Sequence, residues 1–384
     1  MKYLLYLSLI LFLVPDRHIY RTYLQKVPLV WRLLFILPTL LGLLSTVLLL
    51  SHVSSNIITM FFLIALLCFT IPKMVIVAFS LVSRLLEKRN GKVSLFVNRL
   101  GVAVACIASV MAFYGIVFGW KQLETEYVDL YFEDLPESFD GYRIAHLSDL
   151  HLGTHGSKTA FVEKVVRHVN EEHPDLIVFT GDIVNSYPEE LTPFVPVLSK
   201  LLAPDGVFSV FGNHDYCHYS RKGARAASLE LAEKERSMGW QVLLNESKVL
   251  SRGEDRIAVA GLEYWGKYLI LQDYNIKATL KGITDYDSIK CDDDIFTIML
   301  CHTPSQWDLE ILPNTHIPLT LSGHTHASQL KIGRWSPSSF LYKEWGGLYQ
   351  SGNQQLYVSE GLGGTLPFRF GSRPQVIVLT LHSK

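Results

Sequence analysis

The apolar residues of this 384-residue chain follow two patterns. Up to about residue 120 they form long blocks, from Tyr3 to Val14, Leu33 to Leu50, Ile57 to Ile71 and Leu100 to Trp120. A helix needs about 20 apolar residues to cross a bilayer. The second and fourth blocks meet this, and the third does so with its flanks. The first is short enough for an uncleaved signal-like anchor or an interfacial segment. From about Asp140, short runs rich in β-branched residues alternate with polar stretches. Strands are predicted over 142–147, 176–180, 207–211, 257–260, 296–300, 319–321, 356–358 and 376–381, and helices over about 158–172 and 224–237. Strands alternating with helices predict an α/β layered domain. The organisation expected is a transmembrane region of about four helices (1–120), a linker (121–139) and an enzyme-sized domain (140–384).

Charge divides the chain at the same place. Residues 1–120 hold eleven Lys/Arg against two Asp/Glu, while 121–384 hold 24 against 34. A net-acidic second part argues against nucleic-acid binding, which needs a basic face. It suits a site that handles an anionic substrate through bound cations. The 15–32 loop holds Arg17, Arg21, Lys26 and Arg32, the 51–56 loop holds no Lys or Arg, and the 73–99 loop holds Lys73, Arg84, Lys88, Arg89, Lys92 and Arg99. Basic loops face the cytoplasm, so four spans place the C-terminal domain on the extracytoplasmic side of the inner membrane. Lys73 reads as a lone charge without polar partners, which gives no support to a transport path. The five cysteines (Cys68, Cys106, Cys217, Cys291 and Cys301) have no spacing that marks a disulfide framework.

Candidate chemistry follows five of the strands. Asp149 and His151 come after the first, Asp182 after the second, and Asn213, His214 and Asp215 after the third. His302 follows the 296–300 strand, and His324 and His326 follow the 319–321 strand. Ligand sites of α/β sheets lie beyond the carboxyl ends of the strands, so five loops converge there with Asp, Asn or His. A lone Gly-Asp is usually a turn, and a lone D-x-H is common by chance; all five in order are not accidental. Cys301 sits beside His302, but adjacent strand residues face opposite ways, so it reads as structural. His146 reads as a core histidine, and His155, His168 and His173 as surface ones.

The order D-x-H, G-D, G-N-H-D, H, G-H-x-H resembles the calcineurin-like metallophosphoesterase superfamily over about residues 140–384. The segments 321–326, 347–349, 357–359, 361–363 and Arg373-Pro374 are similar to its membrane-associated bacterial branch. The resemblance implies a two-sheet β-sandwich flanked by helices. It implies a first divalent ion held by Asp149, His151 and His326, a second held by Asn213, His302 and His324, and Asp182 bridging both. Carboxylate, imidazole and amide oxygen suit Mn, Fe or Zn. The implied reaction is in-line attack of a bridging hydroxide on a phosphate ester, including lipid-linked ones near the membrane. His214 would protonate the leaving oxygen, or simply support the ligands, and Asp215 would orient it. Where the family would place two glycines after the last histidine, this chain has Ala327-Ser328. Arg221, Lys222, Arg225, Arg369 and Arg373 are open to substrate recognition or to ordinary solvated loops, and Tyr264, Trp265 and Trp335 to an apolar wall or to core packing. Two alternatives remain: a pyrophosphatase of the UDP-diacylglucosamine type, which needs a cytoplasmic site, and a catalytically silent membrane sensor, for which an intact ligand set has no use.

Overall fold

The computed structural model describes residues 2–51, 56–264, 276–281, 283 and 295–384. His52, Trp265 and Cys291 lie outside them. The chain divides into two compact units, Met1–Gly119 and Trp120–Lys384.

Among the described residues of the first unit, three helices are long and apolar enough to cross a membrane: Leu29–Leu50, Ile58–Glu87 and Gly91–Lys121. A further helix, Lys2–Ile19, precedes them. The burial pattern is inverted relative to a water-soluble bundle. The buried residues of Leu29–Leu50 are Thr39, Gly42, Ser45 and Thr46, while Leu33, Leu37, Leu40 and Leu44 face outward. Lipid is as apolar as leucine, so small and hydroxylated residues mediate the helix contacts. At Gly101 a methyl group would stand 2.3 Å from Phe79 Cβ, so the helices touch there because the side chain is absent. Pro72 cannot donate to the carbonyl of Cys68. Ser109 Oγ donates to that carbonyl instead, at 2.9 Å. Lys73, expected to lack polar partners, is buried and fully paired. Its ammonium donates to Asp16 Oδ1 at 2.7 Å, Thr39 Oγ1 at 3.0 Å and the Phe35 carbonyl at 3.1 Å. Asp16 escaped notice because it sits just past the first apolar block.

Among the described residues, the second unit holds two six-stranded mixed sheets. The first runs in the order β1 (Glu124–Phe132), β12 (Gln375–Ser383), β2 (Tyr142–Leu147), β3 (Leu176–Phe179), β4 (Val207–Ser209), β5 (Gln241–Val242). The second runs β10 (Gly347–Ser351), β11 (Gln354–Val358), β9 (Leu319–Ser322), β8 (Phe296–Leu300), β7 (Asp255–Gly261), β6 (Glu246–Arg252). Strands β2 to β5 are mutually parallel, as are β7, β8, β9 and β11. Both faces of the inner strands are covered, which explains their near-continuous apolar runs. Between the sheets, Ile144, Val178 and Phe208 pack with Ile257, Ile298, Leu319 and Tyr357. Outside the first sheet, Ile177 and Phe179 meet Val162, Val165 and Val169 of the helix Ala160–Glu171. Outside the second, Met299 and Leu356 meet Trp307 and Ile311. Each such side chain contributes ~1.5–3 kcal/mol by burial.

The stretch 121–139, expected as a linker, instead carries β1, parallel to β12 at the edge of the first sheet. Its charged residues Glu124, Glu126 and Asp129 suit a half-exposed edge and hide the strand signal. Strands β5, β6 and β10 were also not anticipated. The helix Ala224–Ser237 lies where the pattern put it.

Candidate metal centre

Loops from β2, β3, β4, β8 and β9 meet beyond the carboxyl ends of their strands. Tight cross-links hold them there. Asp149 N–H donates to the Gly181 carbonyl at 2.9 Å, His151 N–H to that of Asp182 at 3.1 Å, and Gly323 N–H to that of His302 at 2.9 Å. Five candidate ligands take a left-handed backbone, with φ of 54° at Asp149, 47° at His151, 57° at Asp182, 74° at His324 and 51° at His326. For residues other than glycine this conformation costs ~1–2 kcal/mol each, and it persists where surrounding contacts impose it. Glycines open the remaining space. A Cβ at Gly212 would lie 2.2 Å from Asp182 Oδ1, and one at Gly323 would lie 2.0 Å from Ser148 Oγ.

The side chains form two groups. In one, ligand atoms of Asp149, His151, Asp182 and His326 all lie within 4.8 Å of one another. In the other, Asp182, His302 and His324 do the same. Asp182 belongs to both. His151 Nε2 stands 3.3 Å from His326 Nε2, and His302 Nε2 stands 3.1 Å from His324 Nδ1. Asp182 Oδ2 is 3.2 Å from His302 Nε2 and 3.6 Å from His151 Nε2. Ring nitrogens that close repel unless a proton or a cation lies between them. Asn213 Oδ1 is buried and has no hydrogen-bond partner among the described residues. Its neighbour His214 donates its N–H to Asp182 Oδ1 at 2.8 Å, which brings the backbone beside Asn213 up to the shared carboxylate. An orphaned amide oxygen, converging imidazoles and a shared carboxylate are a donor set that fits divalent cations.

Electrostatics agree. Burial, followed by the charges of neighbouring histidines, drives His324 down to about 3, and burial drives His151 well below the ordinary histidine value against the pull of Asp182. Neutral imidazole is the metal-binding form. Burial works against the Asp182 anion, yet His302 and His151 hold it well below the usual carboxylate range. Burial also opposes a cationic His302, but the Asp182 carboxylate lifts it to about 9. A cation in the site would take the place of that proton.

The profile of the calcineurin-like phosphoesterase family matches residues 142–328. The metallophosphoesterase YkuE of Bacillus subtilis is 34% identical over 260 residues, covering 65% of this chain and 82% of that protein. The chain belongs to the calcineurin-like metallophosphoesterase family. A transmembrane protein with a metallophosphoesterase domain from Danio rerio is 31% identical over 294 residues, which is 74% of this chain and 63% of that protein. The UDP-2,3-diacylglucosamine pyrophosphatase LpxG of Chlamydia trachomatis is 29% identical over 304 residues, which is 64% of this chain and 86% of that protein. The chain is a membrane protein and a metal-dependent phosphoester hydrolase.

Within this metallophosphoesterase several expected roles change. Asp215 does not reach the His214 ring. Its buried carboxylate accepts the N–H groups of Asp182 at 2.6 Å, Ile183 at 2.9 Å, Val184 at 3.3 Å and Gly212 at 2.9 Å. It therefore ties the Asp182 loop to the Asn213 loop. Burial and nearby Asp182 push its pKa up to about 7, against the pull of those N–H groups. The orienter of His214 is the Asn185 carbonyl, 2.6 Å from Nδ1. A carbonyl only accepts, so Nδ1 carries a proton and Nε2 is free to exchange one. Cys301 is buried, pushed up to about 12 by burial, and packs on Ser322, away from the ligands. His155, expected at the surface, is buried and stacked on Phe161. His146 is buried, with Nε2 2.9 Å from Thr180 Oγ1. Arg369, open to a substrate role, is only 1% exposed and donates to the carbonyls of Glu360, Gly363 and Ser372. Arg373 is exposed beside Glu124, and Lys222 pairs with Glu189 and Glu230. Ala327 and Ser328, standing where glycines were expected, hold left-handed φ of 48° and 51°, so the chain keeps the glycine-like turn without glycine. Tyr264 faces His302 and His324, each ring centre 5.9 Å away, while Trp335 is exposed. Tyr342, which belongs to no motif, places its hydroxyl 2.9 Å from His324 Nε2.

Proposed function

We propose that this protein is a two-ion phosphodiesterase or phosphatase that hydrolyses phosphate esters presented at the membrane, with its catalytic unit on the extracytoplasmic side. The observation that carries the reading is Asp182, one carboxylate shared by two adjoining donor groups. Asp149, His151 and His326 would hold one ion, and Asn213, His302 and His324 the other. Mn, Fe or Zn in such a pair would supply charge to clamp phosphoryl oxygens and, from water, a nucleophile at neutral pH for in-line attack. The remaining steps fall to the protein. His214, with Nδ1 anchored on the Asn185 carbonyl, presents Nε2 to deliver a proton to the leaving oxygen. Asp215 keeps two ligand loops in register and takes no proton from the substrate.

Leaving-group chemistry tests the His214 assignment. His214→Ala is expected to lose about tenfold to a hundredfold more rate on an alkyl or phenyl ester than on a p-nitrophenyl ester, whose leaving group needs no proton. Equal losses on both would remove His214 from proton delivery.

The membrane setting rests on residues 1–120 as a transmembrane region, supported by the three apolar helices. The basic loops support an extracytoplasmic catalytic unit in the inner membrane. A lipid-linked substrate is supported by the loop between β9 and β10. It carries Tyr342 to His324, yet exposes Phe340 (79%) and Leu341 (77%) alongside Trp335. The likeness to LpxG favours a second reading, pyrophosphate cleavage in a lipid precursor, which needs the site in the cytoplasm. An Arg221→Cys variant probed with a membrane-impermeant maleimide in intact spheroplasts separates the two. Labelling fits the extracytoplasmic reading, and labelling only after lysis fits the pyrophosphatase.

A further inference from the structure

We propose that Tyr342 is a positioning residue of the second metal site, holding His324 so that Nδ1 rather than Nε2 faces the ion. The proposal rests on the two-ion reading. His324 Nδ1 is the nitrogen that points inward, 3.1 Å from His302 Nε2. On the far side of the ring, Nε2 lies 2.9 Å from the Tyr342 hydroxyl, and the two rings meet edge-on at 89°. A histidine that ligates through one nitrogen must carry its proton on the other, and the partner of that second nitrogen fixes both tautomer and ring angle. The Tyr342 oxygen accepts the Nε2 proton and leaves the Nδ1 lone pair directed into the site. The companion ligand is held by the same logic with a backbone group. His302 Nδ1 donates to the Thr180 carbonyl at 2.7 Å, leaving Nε2 inward.

Tyr342 does not depend on that hydrogen bond for its own place. Ser336 Oγ donates to the Ala327 carbonyl at 2.5 Å, Ser338 Oγ to that of Thr325 at 3.2 Å, and Thr325 Oγ1 to that of Trp345 at 2.5 Å. These bonds stitch the loop to the segment that bears His324 and His326. The Tyr342 N–H donates to the Ser338 carbonyl at 2.9 Å. Removing the hydroxyl therefore subtracts one contact to a ligand and leaves the loop in position.

The test is a Mn²⁺ titration by calorimetry of the metal-stripped, detergent-solubilised full-length protein, wild type against Tyr342→Phe. Wild type is expected to take up two ions. In the variant the first should bind as before and the second about 10–100-fold more weakly, as is usual when the outer partner of a metal-ligating histidine is lost. The unfolding midpoint of the stripped protein should not move, and excess Mn²⁺ should restore kcat with KM unchanged. Wild-type affinity for both ions would overturn the proposal, as would equal weakening of both together with a lowered midpoint. A wild type that takes up no pair of ions would overturn the two-ion reading, and the proposal with it.

Discussion

A carbon atom at position 323 has nowhere to go. It would meet Ser148 Oγ at 2.0 Å and Asp149 Oδ2 at 2.3 Å, both rigidly held. Gly323→Ala is therefore expected to displace Asp149 and abolish metal uptake at the first ion's site. The stability cost is about 1–3 kcal/mol, in the range for overpacking. Inductively coupled plasma analysis of the purified variant checks this, and a full complement of metal would contradict it. At this scale the convergence of the candidate residues was legible in the sequence, because each follows a strand and the glycines mark the sharp turns. Asn185, Tyr342 and the true partners of Asp215 were not. Asn185 acts through its backbone carbonyl, Asp215 acts on backbone N–H groups, and Tyr342 acts across a loop with no motif. No residue pattern announces a carbonyl that aims a histidine.

Between elements, one buried carboxyl joins a helix to a strand. Glu235, on the helix Ala224–Ser237, receives the Ser209 hydroxyl of β4 at 2.5 Å. Burial, with help from Asp215, pushes it up to about 8 from an ordinary value of 4.5. A raised carboxyl favours the folded state fully below its unfolded value and loses that benefit as pH rises through its folded value. Glu235→Gln, neutral throughout, should thus raise the unfolding midpoint relative to wild type at about pH 8 and leave it unchanged near pH 4, with a gain of up to about 4–5 kcal/mol on the alkaline side. A pH-independent difference would show that Glu235 is not protonated in the fold. In the membrane unit, removing one member of the Lys73–Asp16 pair strands a buried charge. Lys73→Met should destabilise the unit by about 3–5 kcal/mol, and adding Asp16→Leu should restore most of it. Detergent-unfolding midpoints read this, and a silent single variant would show the pair to be dispensable. The central strands of both sheets were legible as apolar runs. Strand β1 was not, because an edge strand of alternating charge looks like a linker until its partner β12, some 250 residues onward, is in place.

The whole molecule joins two solutions to burial. In Trp120–Lys384 leucine, isoleucine and valine go inside; in the helix Leu29–Leu50 of the first unit glycine, serine and threonine do. Length and composition mark the spans of the first unit, and the outward leucines of Leu29–Leu50 agree with lipid on its outside. The same division separates an apolar unit from an acidic one that carries the converging Asp and His residues. Under the proposed function, the seven converging residues form a two-ion centre that cleaves phosphate esters. Its most direct test is hydrolysis of bis-p-nitrophenyl phosphate by the metal-stripped, detergent-solubilised full-length protein, before and after Mn²⁺ is resupplied, with Asp182→Asn alongside. Turnover is expected only after Mn²⁺ is returned, with a loss of at least about a hundredfold in the variant, since Asp182 would serve both ions. Undiminished turnover in the stripped protein, or in Asp182→Asn, would contradict it.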